Sequence, residues 1–216
     1  AVVRAAAFDG DGNRSNTVTS TYFIDFGEKE GYEDAVILSL VTDPDHLFSD
    51  DRGIYVRGSL YEDALEAGEI YEELPWSDLM AYTRYYQAGM ESERPAHLEL
   101  YSVYGDALLD QSCGVRIRGN ESRSFPQKSF TLYSRKRYEK EGFDPVLFDS
   151  GISYPSLILN NSKTLKKVFF FSLVEDRGAA VQRYIPCQVF LNGEYWGMYY
   201  LMERYSSEYL DGYYGA

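Results

Sequence analysis

The stretch from Cys113 to Tyr133 commits this chain to a fold built on antiparallel strands. Val115 and Ile117 alternate with Arg116 and Arg118, the two-residue period of a strand with one covered and one open face. Gly119-Asn120 marks a turn, and Lys128 to Tyr133 reads as the returning strand. The same pattern recurs at Ile185 to Arg204, where two strand-like runs flank Asn192-Gly193, a dipeptide suited to tight hairpin turns. Further hairpins are predicted at Val2–Phe8 with Thr17–Ile24, around Asp9–Asn13, and at Ala96–Tyr104 with Ala107–Gln111, around Gly105-Asp106. Ala35 to Val41 is a strand, and residues 61–92 read as an acidic, aromatic surface insertion with helical turns. Thr164 to Arg183 is the longest helix candidate, with Leu165, Val168, Phe169, Leu173, Ala180 and Val181 as core contacts, and Ser206 caps a last helix toward Tyr213. The expected class is α+β: an antiparallel sheet with one packed long helix, plus an N-terminal β-hairpin.

Charge singles out one segment. From Cys113 to Lys140 there are eight Lys or Arg against two Glu, a local +6 in a chain of net charge −13, so the remainder carries −19. Such a concentration favours a small anionic ligand, while the acidic remainder repels nucleic acid and anionic membranes. The longest apolar run, Val168 to Phe171 with Leu173-Val174 after a serine, is far short of a membrane span. Cys113 and Cys187, without a C-x-x-C pair and with only His46 and His97 as imidazoles, argue against zinc and read as buried free thiols. Asp9, Asp11 and Asn13 open like a calcium loop, but Arg14 and Ser20 stand where that loop needs glycine and glutamate.

In its second half the chain reads strand, turn, strand with lysine, helix, strand, turn, strand, polar link, helix. That order is similar to the smaller lobe of a protein kinase, where a lysine meets the nucleotide phosphates, a helix carboxylate orients it and a link offers backbone groups to adenine. Lys128 is then the candidate phosphate lysine and Glu175 its carboxylate partner, with Asp176 next. Arg118, Gly119, Asn120 and Arg123 form the turn nearest the phosphates, Met202 and Glu203 belong to the adenine-facing link, and no metal ligand is assigned. Each has a plainer reading: Lys128 as an exposed edge lysine, Arg118 and Arg123 as partners of Glu99 or Glu121, Glu203-Arg204 as an ion pair ending the hairpin.

The strings G-V-R-I-R-G-N-E-S-R-S-F-P-Q-K-S-F (Gly114 to Phe130) and V-F-L-N-G-E-Y-W-G-M-Y-Y-L-M-E-R-Y (Val189 to Tyr205) resemble the signature segments of the spore coat protein H (CotH) kinase-like family. Thr42 to Gly58 resembles the start of that domain, and residues 1–24 the last hairpin of immunoglobulin-like or chitobiase-C-terminal-type modules. The resemblance implies residues 1–24 as the end of a β-sandwich-type module, 25–34 as a linker and 35–216 as an incomplete CotH kinase-like domain without its C-terminal lobe. It implies an atypical kinase using ATP with Mg²⁺ or Mn²⁺ and transferring phosphate to Ser/Thr of a secreted, cell-surface or spore-coat protein. The family's metal-binding acidic segments have no counterpart here, so this chain alone is expected to be inactive. Leu159 to Lys163 also departs from the family pattern, where an arginine and an asparagine-glycine-rich loop are expected. The rival reading is a non-catalytic extracellular module that binds polysaccharide or a partner protein.

Overall fold

The computed structural model describes residues 1–24, 36–71, 73–143, 145–161, 163 and 165–215. Two strands, β1 (Val2–Ala5) and β2 (Val18–Thr21), form an antiparallel hairpin. Seven more close into a barrel: β3 (Val36–Thr42), β4 (Arg94–Tyr101), β5 (Ala107–Arg118), β6 (Ser129–Tyr133), β7 (Ser156–Asn161), β8 (Tyr184–Leu191) and β9 (Glu194–Met202). Their order around the wall is β3-β4-β5-β6-β7-β9-β8, and β8 closes on β3 as the one parallel pair. Short helices α1 (Pro44–Phe48), α2 (Ser59–Glu66) and α3 (Trp76–Leu79) lie between β3 and β4, α4 (Leu165–Val174) follows β7, and α5 (Ser207–Tyr214) follows β9. The linker expected over 25–34 lies outside the described residues.

Closure follows from the alternation. Leu38, Leu40, Leu98, Leu100, Val115, Ile117, Phe130, Leu132, Leu201 and Val189 all point inward and are buried together. A closed wall leaves no unpaired edge, so the sheet is complete without a covering helix. Cys113 and Cys187 are buried as free thiols. Among the described residues no helix is long and apolar enough to cross a membrane.

The α+β class and the mainly antiparallel pairing stand, but the long packed helix does not. Helix α4 spans only Leu165–Val174, and a single 3₁₀ turn (Glu175–Arg177) leads to Gly178, whose φ of 73° ends the helical path. Only Val168 of α4 is buried, while Leu165, Phe169, Phe170 and Leu173 stay on the surface. The barrel interior is already filled, so α4 lies outside it. Strand β7 is absent from the sequence reading, because Leu157, Ile158 and Leu159 are buried on both faces and show no alternation.

A buried carboxylate pins the basic segment. Glu93, just before β4, receives Arg116 of β5 (Nη2 to Oε2, 2.6 Å) and Arg135 beyond β6 (3.0 Å), and Arg137 also binds it. Tyr138 donates its hydroxyl to the same carboxylate at 3.0 Å. Gly114 makes room: a Cβ there would lie 2.7 Å from Glu93 Oε1. Burial by itself would raise the Glu93 pKa, yet hydrogen bonds from Arg116, Tyr138 and Arg135 outweigh it and hold the carboxyl below its ordinary range.

Removing this carboxylate strands three guanidiniums. Glu93→Gln is expected to lower unfolding free energy by about 3–5 kcal/mol in urea titrations. Because the folded-state pKa lies below the unfolded value of 4.5, the Glu93 contribution is present at neutral pH and lost as pH falls below that value. The variant's acid limb is therefore expected to be shallower than that of the parent; parallel limbs would contradict this account.

Candidate anion-binding site

Inward packing of Val115 and Ile117 forces Arg116 and Arg118 onto the outer face of β5. Thr131 lies directly opposite Arg116 in the β5–β6 register. Immediately after β5, Gly119 takes a φ of 121°, and a Cβ there would fall 2.1 Å from Ser122 Oγ, so the turn requires glycine. Arg204, just past β9, donates to Ser156 Oγ of β7 at 3.2 Å and so reaches the same outer face.

These groups line a cavity of about 440 Å³ formed by Arg116, Arg118, Gly119, Asn120, Arg123, Thr131, Tyr133 and Arg204 together with residues 87–89 and Ser92. Among the described residues four arginines share the lining, and no carboxylate belongs to it. Their states differ. Arg116 is held by Glu93 and stacks over the Tyr133 ring, 4.5 Å to its centroid. Arg123 turns toward main-chain oxygens, donating to the carbonyls of Gly119 (2.6 Å), Tyr86 (3.2 Å) and Gln87 (3.3 Å). Arg118 is half-buried and has no hydrogen-bond or ion-pair partner among the described residues. Burial, then the neighbouring charge of Arg204, pushes its pKa below the ordinary arginine value.

The turn expected near phosphate, Arg118, Gly119, Asn120 and Arg123, is thus gathered in one cavity. Lys128, Glu175, Met202 and Glu203 do not line it. Lys128 is not an exposed edge lysine: it is 4 % exposed, and its ammonium donates to the carbonyls of Arg123 (2.5 Å) and Phe125 (2.9 Å). The Tyr85 ring lies 4.3 Å away and the Tyr55 ring 5.1 Å. Burial, reinforced by Arg57, lowers its pKa to about 8, and no carboxylate among the described residues pairs with it. Glu175 sits exposed in the 3₁₀ turn after α4.

Met202 pairs with Ile158 and Tyr184 inside the barrel wall. Glu203 is fully buried: its carboxylate accepts from Tyr154, from Tyr213 Oη at 2.7 Å and from Arg183 N at 2.7 Å. Its own N–H donates to Arg183 O at 3.1 Å, and its carbonyl accepts from Gln182 Nε2 at 2.5 Å. Both main-chain groups of Glu203 are therefore engaged within the fold. The ion pair expected between Glu203 and Arg204 does not form, since their side chains go to different partners.

Sequence reasoning missed Arg204 and the part Arg116 plays. Arg116 was legible, because it shares the strand face of Arg118; Arg204 meets them only through the β7–β9 pairing, which no local pattern announces.

One other grouping could hold a cation: single ligand atoms of His97, Glu99 and Asp110 lie within 4.8 Å of one another. Glu99 is already saturated, accepting from Thr21 N at 3.0 Å, from the Thr21 hydroxyl and from Tyr101 Oη at 2.8 Å. Its role is to fasten the N-terminal hairpin to the barrel.

Lys128→Met would leave two partly buried carbonyls without their donor, and is expected to cost on the order of 1–3 kcal/mol of stability. The Lys128 pKa is lowered in the fold, from 10.5 to about 8, so its contribution makes stability rise with pH across that interval. Thermal melts of parent and variant at both ends of the interval test this: the gap between them is expected to widen toward pH 10, and a gap that narrows would refute the buried-ammonium description.

No curated protein matches the chain at a significant level. Residues 115–214 match the family model described as CotH kinase protein, a span that takes in Arg116, Arg118, Arg123, Lys128 and Arg204. This segment, which holds most of the arginine cavity, is thus similar to the CotH kinase protein family.

Proposed function

We propose that the arginine cavity receives the phosphates of a nucleotide, and that this chain supplies the nucleotide-facing part of a kinase-like phosphotransferase. One observation carries the reading: among the described residues Arg118, a half-buried guanidinium, has no acceptor and stands with three further arginines in a cavity whose lining contains no carboxylate. Leaving such a charge unpaired is costly, and an anion of matching geometry relieves it. The planar guanidinium fork suits phosphate oxygens, and a glycine at the turn lets main chain approach them. The similarity of residues 115–214 to the CotH kinase protein family favours nucleotide phosphate over other anions.

ATP with Mg²⁺ or Mn²⁺ is the donor this reading implies, with a Ser/Thr hydroxyl of an extracellular or spore-surface protein as acceptor. The cavity fits the phosphate part: Arg118, Arg123, Arg204, Asn120 and Thr131 offer donors to phosphate oxygens. It does not fit the metal, because among the described residues its lining offers no carboxylate. The wall would bind and orient the phosphates and neutralise part of their charge. In this reading Lys128 supports the turn from behind instead of meeting phosphate.

Isothermal titration with ADP tests the assignment on the present chain. Arg118→Ala is expected to weaken binding at least about tenfold, or about 1.4 kcal/mol, with the melting temperature unchanged or raised because an unpaired charge has been removed. Unaltered ADP affinity in that variant would dismiss this cavity as the nucleotide site.

A further inference from the structure

A second cationic recess lies on a different part of the wall, between the N-terminal hairpin and the barrel. In the hairpin register Arg4 pairs with Thr19 and Val2 with Thr21, so Arg4 shares the barrel-facing side with two buried threonines. Thr21 is clamped to the outward row Ser39–Glu99–Asp110, formed by β3, β4 and β5 in register. Ser39 Oγ lies 2.8 Å from Thr21 Oγ1 and completes that clamp. Two residues along, the next outward row is Val41–His97–Ser112, and there the hairpin stands away from the wall. Arg4, though turned toward the barrel, is therefore exposed. The gap is an open cleft of about 550 Å³.

Its lining is unusual for a chain of net charge −13. Among the described residues Arg4, Arg14 and Arg137 contribute guanidiniums against a single carboxylate, Asp43, and both histidines of the chain, His46 and His97, belong to it. Asp43 Oδ1 is already used, accepting from Asp45 N at the start of α1. Arg137 is fixed by buried Glu93 and by Tyr138 Oη at 2.7 Å, so one guanidinium is held in place before any ligand arrives. Arg14 donates to Thr17 Oγ1 at 2.6 Å, and Arg4 has no partner among the described residues. His97 Nε2 lies 2.9 Å from Asp110 Oδ1, out of line for a hydrogen bond. Asn16, Thr17, Thr19, Thr42 and Ser112 add hydroxyl and amide groups, while the apolar share comes from alanines, Val41, Pro95 and the ring of Tyr138.

We propose that this cleft is a second ligand site, separate from the nucleotide cavity, and that it takes an acidic sugar. The guanidiniums would receive the acid group and the hydroxyl-rich walls the ring hydroxyls. Among the described residues the one phenol ring of the lining, Tyr138, is covered on one face by the Arg137 guanidinium, 4.7 Å from its centroid, and so recognition rests on charge and hydrogen bonds.

The test is calorimetric titration of the chain with glucuronate, with glucose 6-phosphate and with glucose as the uncharged control. Arg4→Ala/Arg14→Ala and Arg118→Ala are titrated alongside. Both hairpin arginines are exposed, so the double variant is expected to keep its melting temperature. At least one acidic sugar should bind, glucose should not, and the double variant should lose at least about tenfold in affinity. Arg118→Ala should leave this binding intact while ADP binding falls, which separates this proposal from the nucleotide reading. Binding by glucuronate alone would assign a carboxylate ligand, and by glucose 6-phosphate alone a phosphorylated one. Failure of both acids to bind, equal binding of glucose, or indifference to the hairpin arginines would overturn the proposal.

Discussion

The carboxylate of Glu93 sets the arrangement on which both recesses depend. It stands at the entrance to β4, reaches across β5 to Arg116 and gathers Arg135 and Arg137 from the loop beyond β6. Three guanidiniums on one carboxylate leave a surplus of positive charge. Arg116 spends its exposed side on the arginine cavity, and Arg137 on the cleft beneath the hairpin. A buried ion cluster gains little over apolar packing in stability, but it places charges that would otherwise splay apart. The acidic character of the rest of the chain makes that placement matter, since it confines the attraction for anions to these walls.

The second determinant is the two-residue period of a closed wall. Because Leu98 and Leu100 fill the barrel, His97 and Glu99 must face outward; because Val115 and Ile117 fill it, Arg116 and Arg118 must do so. Register then aligns the outward residues of neighbouring strands into rows. One row, Ser39–Glu99–Asp110, holds the hairpin, and the next, Val41–His97–Ser112, floors the cleft. A slip of one residue would exchange core and chemistry along the whole strand, so the hydrophobic interior specifies the outer sites indirectly.

Much of this was legible before the structure. The hairpins at Asn192-Gly193 and Gly105-Asp106, the arginine-bearing strand, the glycine turn and the Ser206 cap all emerge where local chemistry predicts them. Four residues of the arginine cavity, Arg118, Gly119, Asn120 and Arg123, follow from the same patterns. What escaped depends on contacts distant in sequence. Strand β7 is covered on both faces and carries no period; barrel closure rests on the parallel pairing of β8 with β3; and Arg204 enters the cavity through β7. The extent of α4 was overread because a run of phenylalanines resembles a core helix, whereas the filled barrel leaves most of that run outside.

Lys128 shows why charge type alone cannot assign a role. Its position in the strand pattern suits a phosphate ligand, and the neighbouring arginines strengthen that impression. The deciding quantity is the number of main-chain oxygens it meets, and every residue carries one of those, so sequence cannot reveal it. Lys128 and Arg123 satisfy their charge on carbonyls and thereby stiffen the turn; Arg118 has no hydrogen-bond or ion-pair partner among the described residues, and in the proposed reading its charge is kept for a ligand. The cation that faces a ligand is then the one whose protein partners are missing, while its paired neighbours hold it in place.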